Sequence, residues 1–162
     1  MKEKKIKNKN LKKEDNNFGT HQYSRGYYEP VYTIGIAAVK TNITVHTLRL
    51  YEIEGLIIPY KTETGRRLYS DLELEKVRCI REMIKEKGLN FEGIRRIISL
   101  VPCWKLRDCG SDKGKNCPAF SNRSKPCWAI DKKCASPLSS CRDCPVYQKI
   151  ANCEDVQKLI QS

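Results

Sequence analysis

No run of eighteen apolar residues occurs anywhere in this 162-residue chain, so none of it is predicted to span a membrane. The opening stretch MKEKKIKNKNLKKEDNN, residues 1–17, starts positively but has no apolar centre, which argues against a secretory signal. The expected location is therefore cytoplasmic, where disulfides are rare. Catalytic signatures are missing as well. There is no glycine-rich phosphate loop, no H-E-x-x-H and no cysteine–histidine pairing, so the chain is not expected to be an enzyme. Histidine is scarce, and both copies, His21 and His46, lie outside the cysteine-rich region, which disfavours mixed cysteine–histidine coordination there. That region, residues 103–153, also has too few aliphatic side chains to build a core.

What is abundant is positive charge and cysteine. Lys and Arg outnumber Asp and Glu by 31 to 19, a net charge of +12 that points to a polyanionic partner. Eight of the nine cysteines fall within 103–153, while Cys79 stands apart in a helical pattern and is expected to be packed or inert. The apolar residues crowd into roughly 31–101. Two unlike pieces are expected rather than one core, a helical module over 30–101 and a cysteine-rich module over 102–153, flanked by a disordered basic arm over 1–29 and a C-terminal helix or tail over 154–162.

Within 30–101 the punctuation is clear. Thr33 is placed to cap a short helix with Ile34, Ala37 and Ala38 on one face. Asn42 suits a left-handed turn, and Thr44 can cap a second helix, VHTLRLYEIEGL, which Gly55 stops and in which Leu48 faces inward. Two short helices around a tight turn are the unit that sets a second helix in the major groove. The segment IIPYKTETGRRLYS then reads as a two-stranded wing turning at Thr64–Gly65. Ser70 and Glu73 form a capping box for a helix whose core face is Leu74, Val77, Ile80, Met83 and Ile84. A further amphipathic helix, NFEGIRRIISLV, turns Ile94, Ile97, Ile98 and Val101 inward.

The ordered phrases TLRLYE, EGLI, GRRLYS and GLNFEGIRRII resemble the winged helix-turn-helix of the MerR family of bacterial transcription regulators, in particular its heat-shock-repressor-like branch, over about 31–101. The resemblance implies a recognition helix over Thr44–Glu52, with contacts from Thr44, Val45, His46 and Arg49. It implies that Tyr51 divides its role between packing and phosphate contact, and that Lys61, Arg66, Arg67 and Tyr69 serve the wing. Leu50 stands where many members have Tyr, and Arg66 where many have an aromatic. It further implies a homodimer on a double-stranded, pseudo-palindromic DNA operator, with RNA polymerase at the promoter as a further partner. The long dimer helix usual in the family has no counterpart after Pro102, which leaves the cysteine segment or DVQKLI to replace it, or a dimer that forms only on DNA.

The cysteines repeat a phrase. Cys103-Trp104, Cys109 and Cys117-Pro118-Ala119-Phe120 return as Cys127-Trp128, Cys134 and Cys144-Pro145-Val146-Tyr147, with Cys141 and Cys153 extra. The arrangement resembles a two-CW type of cysteine-rich module. Thiolates bind soft or borderline metals, and a four-sulfur site needs four of them, so Cys103, Cys109, Cys117, Cys127, Cys134, Cys141, Cys144 and Cys153 are the candidate ligands. The cofactor expected is zinc, with an iron–sulfur cluster or metal-free thiol switching as alternatives. Trp104, Phe120, Trp128 and Tyr147 are expected to form one aromatic cover over the sulfurs. The expected fold is mainly α: a winged helix-turn-helix followed by a small irregular metal-binding module. The expected function is a sequence-specific DNA-binding regulator modulated or stabilised at its cysteines; the rival is a metal- or redox-handling protein.

Overall fold

The computed structural model describes residues 25–107, 117–130 and 140–161. Its first turn is a 3-10 helix at Arg25–Tyr28, inside the stretch expected to be a disordered arm. Tyr27 accounts for the difference. Its ring is buried in a cluster with Leu72, Tyr147 and Ala151, and its hydroxyl donates to Glu75 at 2.7 Å. Residues 1–24, the remainder of that arm, lie outside the described residues.

Helices α1 (Ile34–Thr41) and α2 (Val45–Ile53) form the helix-turn-helix. Asn42 between them takes φ 51° and ψ 49°, a left-handed conformation that asparagine tolerates better than most residues. Thr44 caps α2 by accepting from the Thr47 backbone N–H at 3.0 Å. Thr33 occupies the corresponding position before α1 but makes no capping hydrogen bond, and its backbone is part of strand β1 (Tyr32–Thr33) instead. Arg81 reaches back to donate to the carbonyls of Thr41 and Asn42, at 3.0 Å each, satisfying acceptors that the end of α1 leaves open.

Strands β2 (Tyr60–Lys61) and β3 (Arg67–Tyr69) make the wing. The turn closes with Thr62 N–H on Arg66 O and Gly65 N–H on Thr62 O, both 2.9 Å, and Gly65 adopts φ 77° there. Strand β1 pairs antiparallel with β3, Tyr32 opposite Tyr69, so the sheet has three strands in the order β1-β3-β2 rather than the expected two. A two-residue strand has no alternation to read.

Helix α3 (Asp71–Lys85) opens with the Ser70–Glu73 capping box, and α4 (Phe91–Ser99) follows, capped by Asn90 through Gly93 N–H at 2.8 Å. Short elements succeed them: α5 (Cys103–Leu106), α6 (Pro118–Ser121), 3-10 turns at Cys127–Ala129 and Cys141–Asp143, α7 (Pro145–Lys149) and α8 (Cys153–Gln161). The architecture is mainly helical, as the sequence implies.

The interior departs from the expectation of two separate pieces. Val146, Ile150, Val156 and Leu159 belong to the same buried cluster as Leu48, Leu56, Val77, Ile80, Met83 and Ile94. The four C-terminal residues stand three or four positions apart within their pairs, so each pair makes a helical stripe that α3 and its neighbours cover. Fully burying such side chains is worth about 1.5–3 kcal/mol each, enough to hold a short segment on a larger body. Among the described residues no helix is long and apolar enough to cross a membrane.

Candidate nucleic-acid interface and the segment docked behind it

The periodicity of α2 divides it into two faces. Leu48 and Tyr51 are buried, whereas Thr44, His46 and Arg49 are exposed and Val45 is half-buried. Two tyrosines offered as contacts lie in the core. Tyr51 is 3% exposed, edge-on to Phe91 at 5.8 Å, and Tyr69 is 0% exposed. Burial pushes the Tyr69 hydroxyl up to about 12, and the group finds no hydrogen-bond partner among the described residues. Both rings occupy inward positions of their elements, so their present role is packing.

The wing cations behave differently from one another. Arg66 is exposed in the turn. Lys61 and Arg67 both meet Glu52 of α2, at 3.3 and 2.5 Å, which ties the wing to the second helix. Glu52 was not singled out from the sequence as a site residue. Its signal was an acidic side chain ending the exposed face of a helix that otherwise carries His46 and Arg49.

Behind this surface, the second Cys-Trp copy docks on the connection between α2 and the wing. Trp128 donates its indole N–H to the Gly55 carbonyl at 2.8 Å. Gly55 has φ 69°, and a Cβ added there would lie 2.7 Å from the Ala129 Cβ. The Tyr147 hydroxyl accepts from Ile58 N–H at 2.9 Å and donates to Glu73 at 3.4 Å. Burial pushes that hydroxyl well above its usual range. Arg142 forks onto Glu73, with its closer nitrogen at 3.0 Å, and lies 5.8 Å from the Tyr60 ring of β2. Glu73 is fully buried, yet Ser70 and Arg142 also donate to it, so its charge is paired and hydrogen-bonded.

Lys76 completes the contact. Its buried ammonium donates to the carbonyls of Tyr147, at 2.7 Å, and Ile150, and it lies 4.2 Å from the Tyr147 ring centroid. Loss of hydration lowers its pKa to about 7, against the favourable fields of Glu73 and Asp155.

The aromatic residues form two pairs instead of one cover. Trp104 meets Phe120 at 5.3 Å, and Trp128 meets Tyr147 at 5.1 Å, both edge to face. Each copy therefore pairs its own Cys-Trp ring with its own Cys-Pro-x-aromatic ring. Cys103, Cys127 and Cys144 pack against the main core, and Cys103 and Cys127 line one cavity of about 20 Å³ with Val146 and Ile150. Arg107 approaches the Cys144 sulfur at 3.6 Å. Cys117 is half-buried and Cys141 exposed, while Cys109 and Cys134 lie outside the described residues.

Among the described residues no three Cys, His, Asp or Glu side chains converge as a metal site, so these residues alone do not fit a four-sulfur centre. Cys153 is displaced from the expected ligand set altogether. Its sulfur is bonded to that of Cys79, which was expected to be inert, and a disulfide sulfur is not a thiolate ligand.

Fold and surface together define a winged helix-turn-helix protein. Residues 32–100 match the MerR HTH family of regulatory proteins. It is 38% identical over 71 residues to a heat shock protein HspR of Streptomyces coelicolor, covering 44% of this chain and 47% of that protein. It is 32% identical over 69 residues to the transcriptional regulator GlnR of Bacillus cereus, covering 43% and 53%. It is 31% identical over 85 residues to the transcriptional regulator ZntR of Escherichia coli K12, covering 52% and 60%. The matching segment thus spans about half the length of these relatives.

Proposed function

We propose that the protein is a sequence-specific, DNA-binding regulator of transcription that sets α2 in the major groove and the wing on the flanking backbone. The observation that carries this is the adjacency of an exposed polar and basic α2 face, Thr44, His46 and Arg49, to a wing that Glu52 holds through Lys61 and Arg67. Thr44, Val45, His46 and Arg49 are the candidates for base and phosphate contact. Lys61, Arg66 and Arg67 are the candidates for phosphate.

The proposed partner is a double-stranded operator bound by a homodimer. Helix α8 is a poor substitute for a dimer helix, because Val156 and Leu159 are already buried in the chain's own core. The cysteine-rich segment is proposed to stabilise or modulate the winged module through metal or thiol chemistry. Support for it is the docking of the second Cys-Trp copy on Gly55, Ile58 and Glu73. Metal analysis of anaerobically purified protein, with a visible spectrum, separates zinc, a cluster and no metal.

The DNA reading is tested by mobility shift on a duplex selected from a random-sequence pool. Arg49→Ala is expected to cost about 1–3 kcal/mol, roughly five- to 150-fold in affinity. Arg66→Ala is expected to weaken all duplexes alike and to lower the salt slope by about one. Unchanged binding in both variants defeats the proposed docking.

A further inference from the structure

Seven of the nine cysteines are absorbed by the two Cys-Trp phrases and the adjacent Cys141; Cys79 and Cys153 are the pair that neither phrase uses. The fold brings these two together from positions 74 residues apart, one on the inner face of α3 and the other at the start of α8. Cys79 is buried at 6% exposure, whereas Cys153 is only half-buried. Cys153 is thus the more accessible residue of the pair.

The seam the bond crosses is otherwise imperfect. A small cavity of about 10 Å³ lies beside Cys79, lined by Lys76, Ile80, Met83, Trp128, Ile150 and Val156 among others. The same seam buries the Lys76 ammonium, whose hydrogen bonds to the Tyr147 and Ile150 carbonyls span it. The covalent link crosses the seam beside this cavity.

We propose that Cys79 and Cys153 form a reversible dithiol–disulfide site, oxidised by low-molecular-weight disulfides and reduced by dithiols, whose bond fastens α8 and the docked segment 140–152 to α3. Reduction starts when a thiolate of the dithiol attacks the Cys153 sulfur. The Cys79–Cys153 bond breaks, Cys79 leaves as a thiolate and takes up a proton, and Cys153 is held in a mixed disulfide. The second thiolate of the dithiol then attacks its own sulfur in that mixed bond and releases Cys153, which is protonated. The protein gains two electrons and two protons, and the dithiol becomes a cyclic disulfide. Oxidation by a low-molecular-weight disulfide runs through the reverse exchange and releases two thiols.

The consequence passes through contacts already described. Opening the bond loosens the seam that holds Ile150 and Tyr147 on Lys76, and with them the hydrogen bonds of Tyr147 to Ile58 and of Trp128 to Gly55. This site is independent of whether the Cys-Trp phrases hold a metal and of whether the winged module binds DNA.

The test uses the full wild-type chain, equilibrated anaerobically across ratios of reduced to oxidised dithiothreitol. Samples are acid-quenched, alkylated, digested without reductant and mapped by mass spectrometry. In parallel, native tryptic cleavage after Lys149 and Lys158 is followed at each ratio. The expected result is a single two-electron transition between linked and alkylated Cys79–Cys153 peptides, with cleavage accelerating at least tenfold in the reduced form. Cys79→Ser and Cys153→Ser should each give fast cleavage at every ratio. The proposal is overturned if Cys79 is alkylated at all ratios, or if oxidised and reduced wild type are cleaved at one rate. It is also overturned if Cys153→Ser lowers bound metal while Cys79→Ser does not, which would make Cys153 a ligand.

Discussion

The two copies of the Cys-Trp phrase have the same internal geometry and opposite surroundings. In the first, Trp104 and Phe120 sit edge to face and remain 42% and 40% exposed, with Arg123 about 5.3 Å from the tryptophan ring. In the second, Trp128 and Tyr147 make the same pair, the tyrosine is fully buried, and the cation beside it is Lys76 from another helix. The pairing belongs to the phrase; the burial belongs to the partner. One copy shows what the sequence folds into locally, and the other shows what happens when the winged module supplies acceptors at Gly55 and Glu73.

The comparison breaks most readily at the second aromatic of each copy. Tyr147→Ala should lower stability by about 3–5 kcal/mol in urea unfolding, the range for truncating a large buried ring. Phe120→Ala should cost below about 1 kcal/mol, as surface changes do. Equal losses would mean that the first copy is buried in a way its exposure does not show.

A smaller effect separates the two cations by pH. The folded-state pKa of Lys76 lies near 7, below its ordinary 10.5, so over that interval the unfolded chain binds the extra proton. Stability must then rise with pH between about 7 and 10.5, and the penalty for burying the charge is fully present below pH 7. The stability difference between Lys76→Met and wild type should shrink across this window by an amount on the order of a few kcal/mol. Arg123→Ala should show no such dependence.

Next comes the hydrogen bond. Trp128→Phe keeps the ring contact but removes the donor to Gly55, which should cost about 1 kcal/mol, or more if the carbonyl is left dry. Trp104→Phe should be neutral within the error of thermal unfolding. Smallest of all, Arg123→Ala should change stability by less than about 0.5 kcal/mol, since a cation over an exposed ring contributes little.

What could be read in the sequence was local. Asn42 in a left-handed turn, the Thr44 cap and the Ser70–Glu73 box each depend on residues within four positions of one another, and each was legible. Strand β1 was not, because Tyr32 finds its partner Tyr69 only after the wing has folded back. Nothing in the spacing of Cys79 and Cys153 announces their bond, and the crowd of cysteines around the latter placed it among the expected ligands. Lys61 and Arg67 were expected to serve the wing, and the structure adds Glu52, which engages both. Tyr69 was expected to serve the wing as a contact, but with a strand on either side of β3 its ring faces inward.

Gly55 carries a consequence for heredity. A side chain at that position would meet a left-handed backbone and the methyl of Ala129 at once, so the two sites constrain each other although they lie in different halves of the gene. A winged module taken from a relative with any other residue there would not accept this C-terminal segment, however well it bound its own target. Recombination between such genes should succeed only when the bare position and its small partner travel together.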